Sequence, residues 1–324
     1  MKAIPVDAVA ADHPLHWSAV ADPDMGADEV LVDIHATAVN RADLLQRSGA
    51  YPPPPGAPDY LGLEMAGVIA EVGANVGEWQ PGDRVCALLA GGGYAEQVAV
   101  PHQLLLRLPD HWNFTDGAAV AEVFLTAFVN LFMEAGLAAG ETVLIHGGAS
   151  GVGIAAIQLA RQSDCRVLAT AGTAEKVEKC LELGAHIAVN YKQQDFAESL
   201  TAQVEGVDVI LDIGGSEYLE RNLQLLNLRG RLVIIALLTG ARGTIDLAIL
   251  QRKRLRLIGS LLRSRSLKEK TEITREFRNR FWPALANGTI TPVIDTILPI
   301  TQAEQAHQIL AENRNIGKVV LTVR

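Results

Sequence analysis

A short apolar run that breaks into glycines constrains this chain more than any other feature. It reads Thr142-Val143-Leu144-Ile145-His146, then Gly147-Gly148-Ala149-Ser150-Gly151-Val152-Gly153, then Ile154-Ala155-Ala156-Ile157-Gln158-Leu159-Ala160-Arg161. The first part has the length and composition of a buried strand, and the last part that of a helix. Gly148, Gly151 and Gly153 let the backbone turn sharply and come close to a pyrophosphate, which then rests on free N–H groups at the positive end of the helix. The spacing is G-x-x-G-x-G, with Ser150 where the usual G-x-G-x-x-G has its second glycine, so the motif needs its context to mean a dinucleotide site.

The chain downstream supplies that context. Aliphatic runs at 166–170, 186–190, 207–212, 232–238 and 255–259 alternate with polar or helical stretches, one of them at 175–183. Near-continuous apolar runs are what a parallel sheet covered on both faces requires. With 142–146 they make six strands, enough for a doubly wound Rossmann domain over 117–262. Residues 1 to about 110 read differently: short β-like runs such as 29–36 and 67–73 separated by turn residues, as in a small barrel of short strands. From about 115 to 138 the chain is rich in Ala, Leu and Phe and predicts one or two helices. Beyond 262, a polar helix at 267–286, another at 303–312 and a strand at 318–323 are expected to rejoin the first domain, giving 1–116 with 263–324 as one domain. The fold class is α/β, a Rossmann sheet plus a mainly β domain.

Charge and cysteine usage narrow the function. A net charge of −9, with no basic run longer than Arg252-Lys253-Arg254, argues against nucleic acid as the main partner. Met1-Lys2-Ala3-Ile4-Pro5-Val6-Asp7 is too short and polar for a secretory core, and the apolar stretch 118–137 is interrupted by Glu122, Asn130 and Glu134, so no membrane span is expected. Cys86, Cys165 and Cys180 form no C-x-x-C pair and are odd in number, which fits a reducing, cytoplasmic setting.

The adenosine end of a dinucleotide leaves its own signature. An NAD site places an acid about 20 residues past the glycine motif, on the ribose hydroxyls. Here the second strand ends in Thr170-Ala171-Gly172-Thr173, with Lys176 close behind and Asn190-Tyr191-Lys192 at the end of the third. Small residues, a hydroxyl and a cation suit a phosphomonoester, so the expected cofactor is NADPH.

These segments, together with Asn40-Arg41-Ala42-Asp43-Leu44, Gly62-Leu63-Glu64-Met65-Ala66-Gly67, Gln80-Pro81-Gly82-Asp83-Arg84-Val85, Ala121-Glu122-Val123-Phe124-Leu125-Thr126-Ala127 and Asn315-Ile316-Gly317-Lys318-Val319-Val320-Leu321, resemble the zinc-free quinone oxidoreductases of the medium-chain dehydrogenase/reductase superfamily over the whole length. Gly259-Ser260-Leu261-Leu262-Arg263-Ser264-Arg265 and Tyr51-Pro52-Pro53-Pro54-Pro55-Gly56 look most like the p53-inducible, zeta-crystallin-like branch. The resemblance implies a GroES-like first domain. It also shows what is missing: zinc alcohol dehydrogenases carry a Cys ligand near Asn40 and Gly-His-Glu where this chain has Gly62-Leu63-Glu64. The chain therefore reads as a metal-free reductase, and alcohol oxidation is a poor assignment.

By resemblance, Asn40 and Thr126 would border the nicotinamide, and Ser150, Gly151 and Val152 would hold the diphosphate. Thr173, Lys176 and Tyr191 would take the 2′-phosphate, while Gly214, Leu237, Leu261 and Lys318 would complete the groove. Tyr51 is the candidate substrate contact, with Asn40 the other candidate catalytic residue; a packing aromatic before a polyproline turn is the competing reading of Tyr51. The implied reaction is hydride transfer from NADPH to a quinone, ortho-quinones foremost, in a homodimer. An enoyl or alkenal reductase is the alternative on the same fold, and an NADPH-binding crystallin-like structural or RNA-associating protein the alternative of another class. Ser150 belongs to the phosphate loop rather than to a nucleophile elbow, and His146 reads as structural.

Overall fold

The six apolar runs after residue 140 become six strands of one parallel sheet. In the computed structural model, which describes residues 1–6 and 14–324, they are β1 (Thr142–Ile145), β2 (Arg166–Ala171), β3 (Ile187–Asn190), β4 (Val207–Asp212), β5 (Leu226–Ile234) and β6 (Arg256–Gly259). Asp7, at the end of the N-terminal run considered above, lies outside the described residues. The strand order is β3-β2-β1-β4-β5-β6, with every neighbouring pair parallel. This is the doubly wound order whose reversal beside β1 creates a ligand crevice at the carboxyl ends of the strands. Helices α1 (Gly151–Gln162), α2 (Ala174–Glu182), α3 (Phe196–Thr201), α4 (Ser216–Leu225) and α5 (Leu247–Lys253) make the crossovers. Val143, Leu144 and Ile145 of β1 are wholly buried, as are Val207, Val209 and Ile210 of β4, because both faces of the sheet are covered.

One strand departs from its apolar pattern. The run 232–238 predicts a strand to residue 238, but β5 starts at Leu226 and stops at Ile234. Its partner β4 ends at Asp212, opposite Ile234, and the last backbone bond of the ladder is Ile235 N–H to the Asp212 carbonyl. With no strand left to pair, the chain turns and Leu237 and Leu238 emerge into solvent.

Apart from Lys2–Ala3 and Ser18–Ala19, which form a separate two-stranded sheet, most of the remaining chain builds a seven-stranded sheet. Glu29–Val39 is its longest strand and pairs antiparallel with Glu64–Val72, Gln97–Pro101 and Lys318–Thr322. Along it Val30, Val32 and Ile34 are fully buried, while Leu31, Asp33 and His35 between them are less so, the alternation of a half-covered sheet. The mainly β reading of this region left out the helix Arg41–Arg47. It is short and starts at a capping box, in which the Asp43 carboxylate accepts the Asn40 N–H at 2.7 Å. Residues 114–134 form helices Phe114–Ala118 and Ala121–Phe128 and a π-helical turn, Val129–Glu134. By its internal contacts the chain divides into two compact units, Met1–Leu125 with Arg263–Arg324, and Thr126–Leu262. No helix among the described residues is long and apolar enough to cross a membrane.

Candidate active site

The glycine loop is packed too tightly to carry side chains at two of its positions. A Cβ on Gly153 would meet the Gly147 carbonyl oxygen at 2.3 Å, and one on Gly148 would meet Cys180 Sγ at 2.7 Å, so backbone packs where side chains would otherwise stand. Ser150 caps α1: its Oγ accepts the Gly153 N–H at 3.1 Å, leaving the hydroxyl hydrogen free to donate. Gly151 and Val152 are the first helical residues, whose N–H groups have no intrahelical acceptor and point along the positive end of the helix dipole. The structure thus brings Ser150, Gly151 and Val152 together at the N-terminus of α1.

Thr173, Lys176 and Tyr191 gather at the ends of β2 and β3. Thr173 caps α2, accepting the Lys176 N–H at 3.2 Å, and the Tyr191 N–H bonds the Ala171 carbonyl at 3.1 Å. The Tyr191 hydroxyl lies 2.9 Å from where a Cβ on Gly172 would be, and Lys192 Cε 3.4 Å from the same point. A side chain at position 172 would push the Tyr191 hydroxyl aside. Lys192, which the sequence reading noted at the end of the third strand but did not assign a role, is a second cation beside this space.

Under the loop lies a polar cluster that sequence reasoning treated only as structure. Buried His146 bonds Thr170 Oγ1 through Nδ1 (3.0 Å) and Asn222 Oδ1 through Nε2 (2.8 Å), and its ring packs edge-on against Phe196 and Tyr218. Burial lowers its pKa to about 4. Nearby, the carboxylate of buried Asp212 accepts the N–H groups of Gly214 and Gly215 at 2.8 and 3.1 Å, while burial pushes its pKa up to about 6. The Gly214 N–H is therefore engaged inside the protein, and its carbonyl accepts from Thr239. Leu237 and Leu261 are about half exposed. Thr126 is buried, and its carbonyl accepts a bond from Asn130 Nδ2 at 2.8 Å.

In the other unit, Asn40 and Lys318 meet over an acid that spacing could not have connected with them. Lys318 Nζ donates to Glu64 Oε1 (2.7 Å), Asn40 Oδ1 (2.6 Å) and the Val39 carbonyl (3.2 Å). Asn40 Nδ2 in turn donates to Glu64 Oε1 at 2.9 Å and to the Ala38 carbonyl at 3.3 Å, and Glu64 Oε2 accepts the Glu122 N–H at 2.8 Å. All three ammonium N–H bonds are made within the protein, so Lys318 has none left to donate to a ligand and holds the Asn40 amide in place. Asp43 extends the cluster, accepting the N–H of Gly62 and approached by the Tyr94 hydroxyl at 3.4 Å; burial raises its pKa to about 6. The only textual signal was a single charge inside each of two apolar runs.

Tyr51 follows the helix Arg41–Arg47, its N–H bonded to the Leu45 carbonyl at 3.2 Å. Its side chain is half-buried, and that burial raises its pKa while the Arg263 guanidinium beside it acts the other way.

Two family models match, one described as zinc-binding dehydrogenase over residues 151–278 and one as alcohol dehydrogenase GroES-like domain over residues 26–110. A quinone oxidoreductase of Mus musculus is 36% identical over 312 residues, covering 94% of this chain and 92% of the mouse protein. The chain belongs to the quinone oxidoreductases of the medium-chain dehydrogenase/reductase superfamily. Solved members of this quinone oxidoreductase family share the whole fold: the Escherichia coli enzyme, complexed with NADPH, superposes with a TM-score of 0.89 at 29% identity, and the Thermus thermophilus enzyme, solved alone and with NADPH, at 0.83 and 32%. Each covers 100% of both chains. This member of the family is an oxidoreductase with a Rossmann unit and a GroES-like unit.

Proposed function

We propose that the protein is an NADPH-dependent reductase of quinones, ortho-quinones foremost, acting without a metal as part of the zeta-crystallin-like branch and as a soluble cytoplasmic enzyme. The observation that carries the cofactor choice is the end of β2, where Gly172, Thr173, Lys176 and Tyr191 stand in place of an acid. Such a pocket favours a 2′-phosphate over a ribose diol. Ser150, Gly151 and Val152 hold the diphosphate, and Gly214, Leu237 and Leu261 line the remainder of the groove. Bound there, the cofactor supplies a hydride. The chain's own part is to orient the nicotinamide with Asn40 and Thr126, with Lys318 holding Asn40, and to present a hydrogen bond from Tyr51 to the substrate oxygen. A quinone delocalises the charge it gains, so orientation and hydrogen bonding suffice. The ammonium of Lys318 occupies the space between Asn40 and Glu64, which supports the metal-free assignment.

Lys176→Ala is expected to weaken NADPH binding tenfold or more, since a charge-assisted bond to phosphate contributes roughly 1.5–3 kcal/mol, and to leave NADH nearly unaffected. Fluorescence titration with both nucleotides checks this. Equal weakening of the two would mean that Lys176 acts through the fold. Parallel assays with one quinone and one α,β-unsaturated ketone separate quinone reduction from enone reduction.

We assign a homodimer to the β6 side of the sheet. Among the described residues β6 pairs only with β5, which leaves an edge, and Leu237, Leu238, Leu247 and Leu261 are 52, 53, 71 and 55% exposed. An unpaired edge with exposed apolar side chains fits a second copy. Light scattering is expected to give twice the chain mass at micromolar concentration, and a monomer would overturn the assignment.

A further inference from the structure

Arg263 is a buried cation that pairs with no carboxylate among the described residues. It is 5% exposed, and its bonds go instead to three separate stretches of chain: Nε donates to the Ala90 carbonyl at 2.7 Å, Nη2 to Gln46 Oε1 at 2.7 Å and Nη1 to the Tyr51 carbonyl at 3.3 Å. Gln46, itself buried, is in the last turn of the helix whose Leu45 carbonyl takes the Tyr51 N–H. Residue 51 is thus held on both sides of its backbone, by helix Arg41–Arg47 and by Arg263. The guanidinium carbon also lies 5.3 Å from the centre of the Tyr51 ring. One side chain fixes both where this tyrosine starts and where its ring lies.

A guanidinium kept out of water with no carboxylate in hydrogen-bonding reach, Asp43 acting on it only through space, is costly, and a protein that needed only packing here would be served as well by an apolar residue. What the charge does favour is negative charge nearby. A cation against a phenol strengthens its O–H as a donor and stabilises an oxygen on which charge accumulates beyond it. Burial of the Tyr51 hydroxyl works in the opposite direction, and Arg263 is the group that offsets it.

We propose that Arg263 is the positioning residue for Tyr51, holding the ring and setting a permanent charge against it so that the phenol presents its hydrogen to a substrate oxygen as that oxygen becomes negative. This rests on the reading of Tyr51 as the substrate contact. Arg263 itself touches no reacting atom in this scheme. The geometry also accounts for the demand for arginine: an ammonium could carry the charge but could not reach the carbonyls of residues 51 and 90 and the amide of Gln46 from one planar fork.

A double-mutant cycle on the full-length protein tests it, with Tyr51→Phe, Arg263→Gln and both together assayed for kcat/KM with one quinone and for NADPH affinity by fluorescence. Tyr51→Phe is expected to lower kcat/KM about five- to thirtyfold. Arg263→Gln should lower it about tenfold where Tyr51 is present and less than about twofold where Phe replaces it, with NADPH affinity unchanged throughout. Arg263→Lys should behave more like Arg263→Gln than like the parent. An equal fall in both backgrounds would show that Arg263 serves only the fold, and would overturn the proposal while leaving the reading of Tyr51 intact. Unchanged kinetics in Tyr51→Phe would overturn both. Should Arg263→Gln fail to fold, Gln46→Ala loosens the same guanidinium without removing its charge. Its effect on kcat/KM must likewise disappear in the Tyr51→Phe chain, and persistence there overturns the proposal.

Discussion

Lys318→Met should lower the unfolding free energy by about 3–5 kcal/mol, the usual cost of breaking a buried ion pair by removing one partner. The side chains of Lys318 and Glu64 are 3% and 0% exposed, so water cannot replace the ammonium. Methionine fills a similar volume, but it leaves Glu64 with two N–H donors, from Asn40 and Glu122, and no positive charge. Adding Glu64→Gln to the same chain removes the stranded charge and should return most of the loss. Denaturant titration of the single and double variants measures this, and a double variant no more stable than Lys318→Met alone would mean that packing, not charge, holds the cluster. In the same experiment NADPH affinity shows whether a reoriented Asn40 amide is felt by the cofactor.

The second large effect is in acid. His146 is neutral in the folded protein, with a pKa lowered to about 4 against 6.5 when unfolded. The unfolded chain therefore binds the extra proton between those two values. The contribution of His146 to stability is complete above pH 6.5 and is lost as pH falls toward 4, a loss of about 2–3 kcal/mol by pH 4.5. His146→Gln should be less stable than the parent near pH 7.5, through lost bonds to Thr170 and Asn222, yet the gap should close by about that amount at pH 4.5. Asp43 and Asp212, both pushed up to about 6 by burial, act with the opposite sign but are common to both chains and cancel in the difference. Thermal or denaturant unfolding across this range decides it, and a gap that stays constant with pH would place the acid sensitivity elsewhere.

Where sequence and structure agree, the reason is local. Each Rossmann strand is a short aliphatic run whose burial on both faces is its own signature, and right-handed crossovers place β2 beside β3 without further information. Thr173 and Tyr191 were legible together for that reason: they follow adjacent parallel strands at the same end of the sheet. The helix Arg41–Arg47 was not legible, since seven residues give too little periodicity to outweigh the β texture around them. Nor was the end of β5, because the run to Leu238 stays apolar past the point where its partner stops. The cluster at Asn40 shows the deeper difficulty. Glu64 and Lys318 are 254 positions apart, and each is by itself a single charge in an apolar stretch. They meet only because Lys318–Thr322 and Glu64–Val72 both pair antiparallel with Glu29–Val39. Arg263, bonded to a residue 217 positions away, was hidden in the same manner.

That pairing also orders events during synthesis. Residues 126–262 are continuous and can close their six strands as soon as β6 has left the ribosome, whereas the strand Glu29–Val39 keeps the edge at residues 36–39 open until 319–322 arrive. The loop to be closed between Asn40 and Lys318 spans 278 positions, so this contact is among the slowest the chain has to make. A nascent chain halted before residue 318 would carry a finished nucleotide-binding unit and, separately, a sheet with one open edge and a carboxylate lacking its cation, the sort of species that chaperones and proteases recognise.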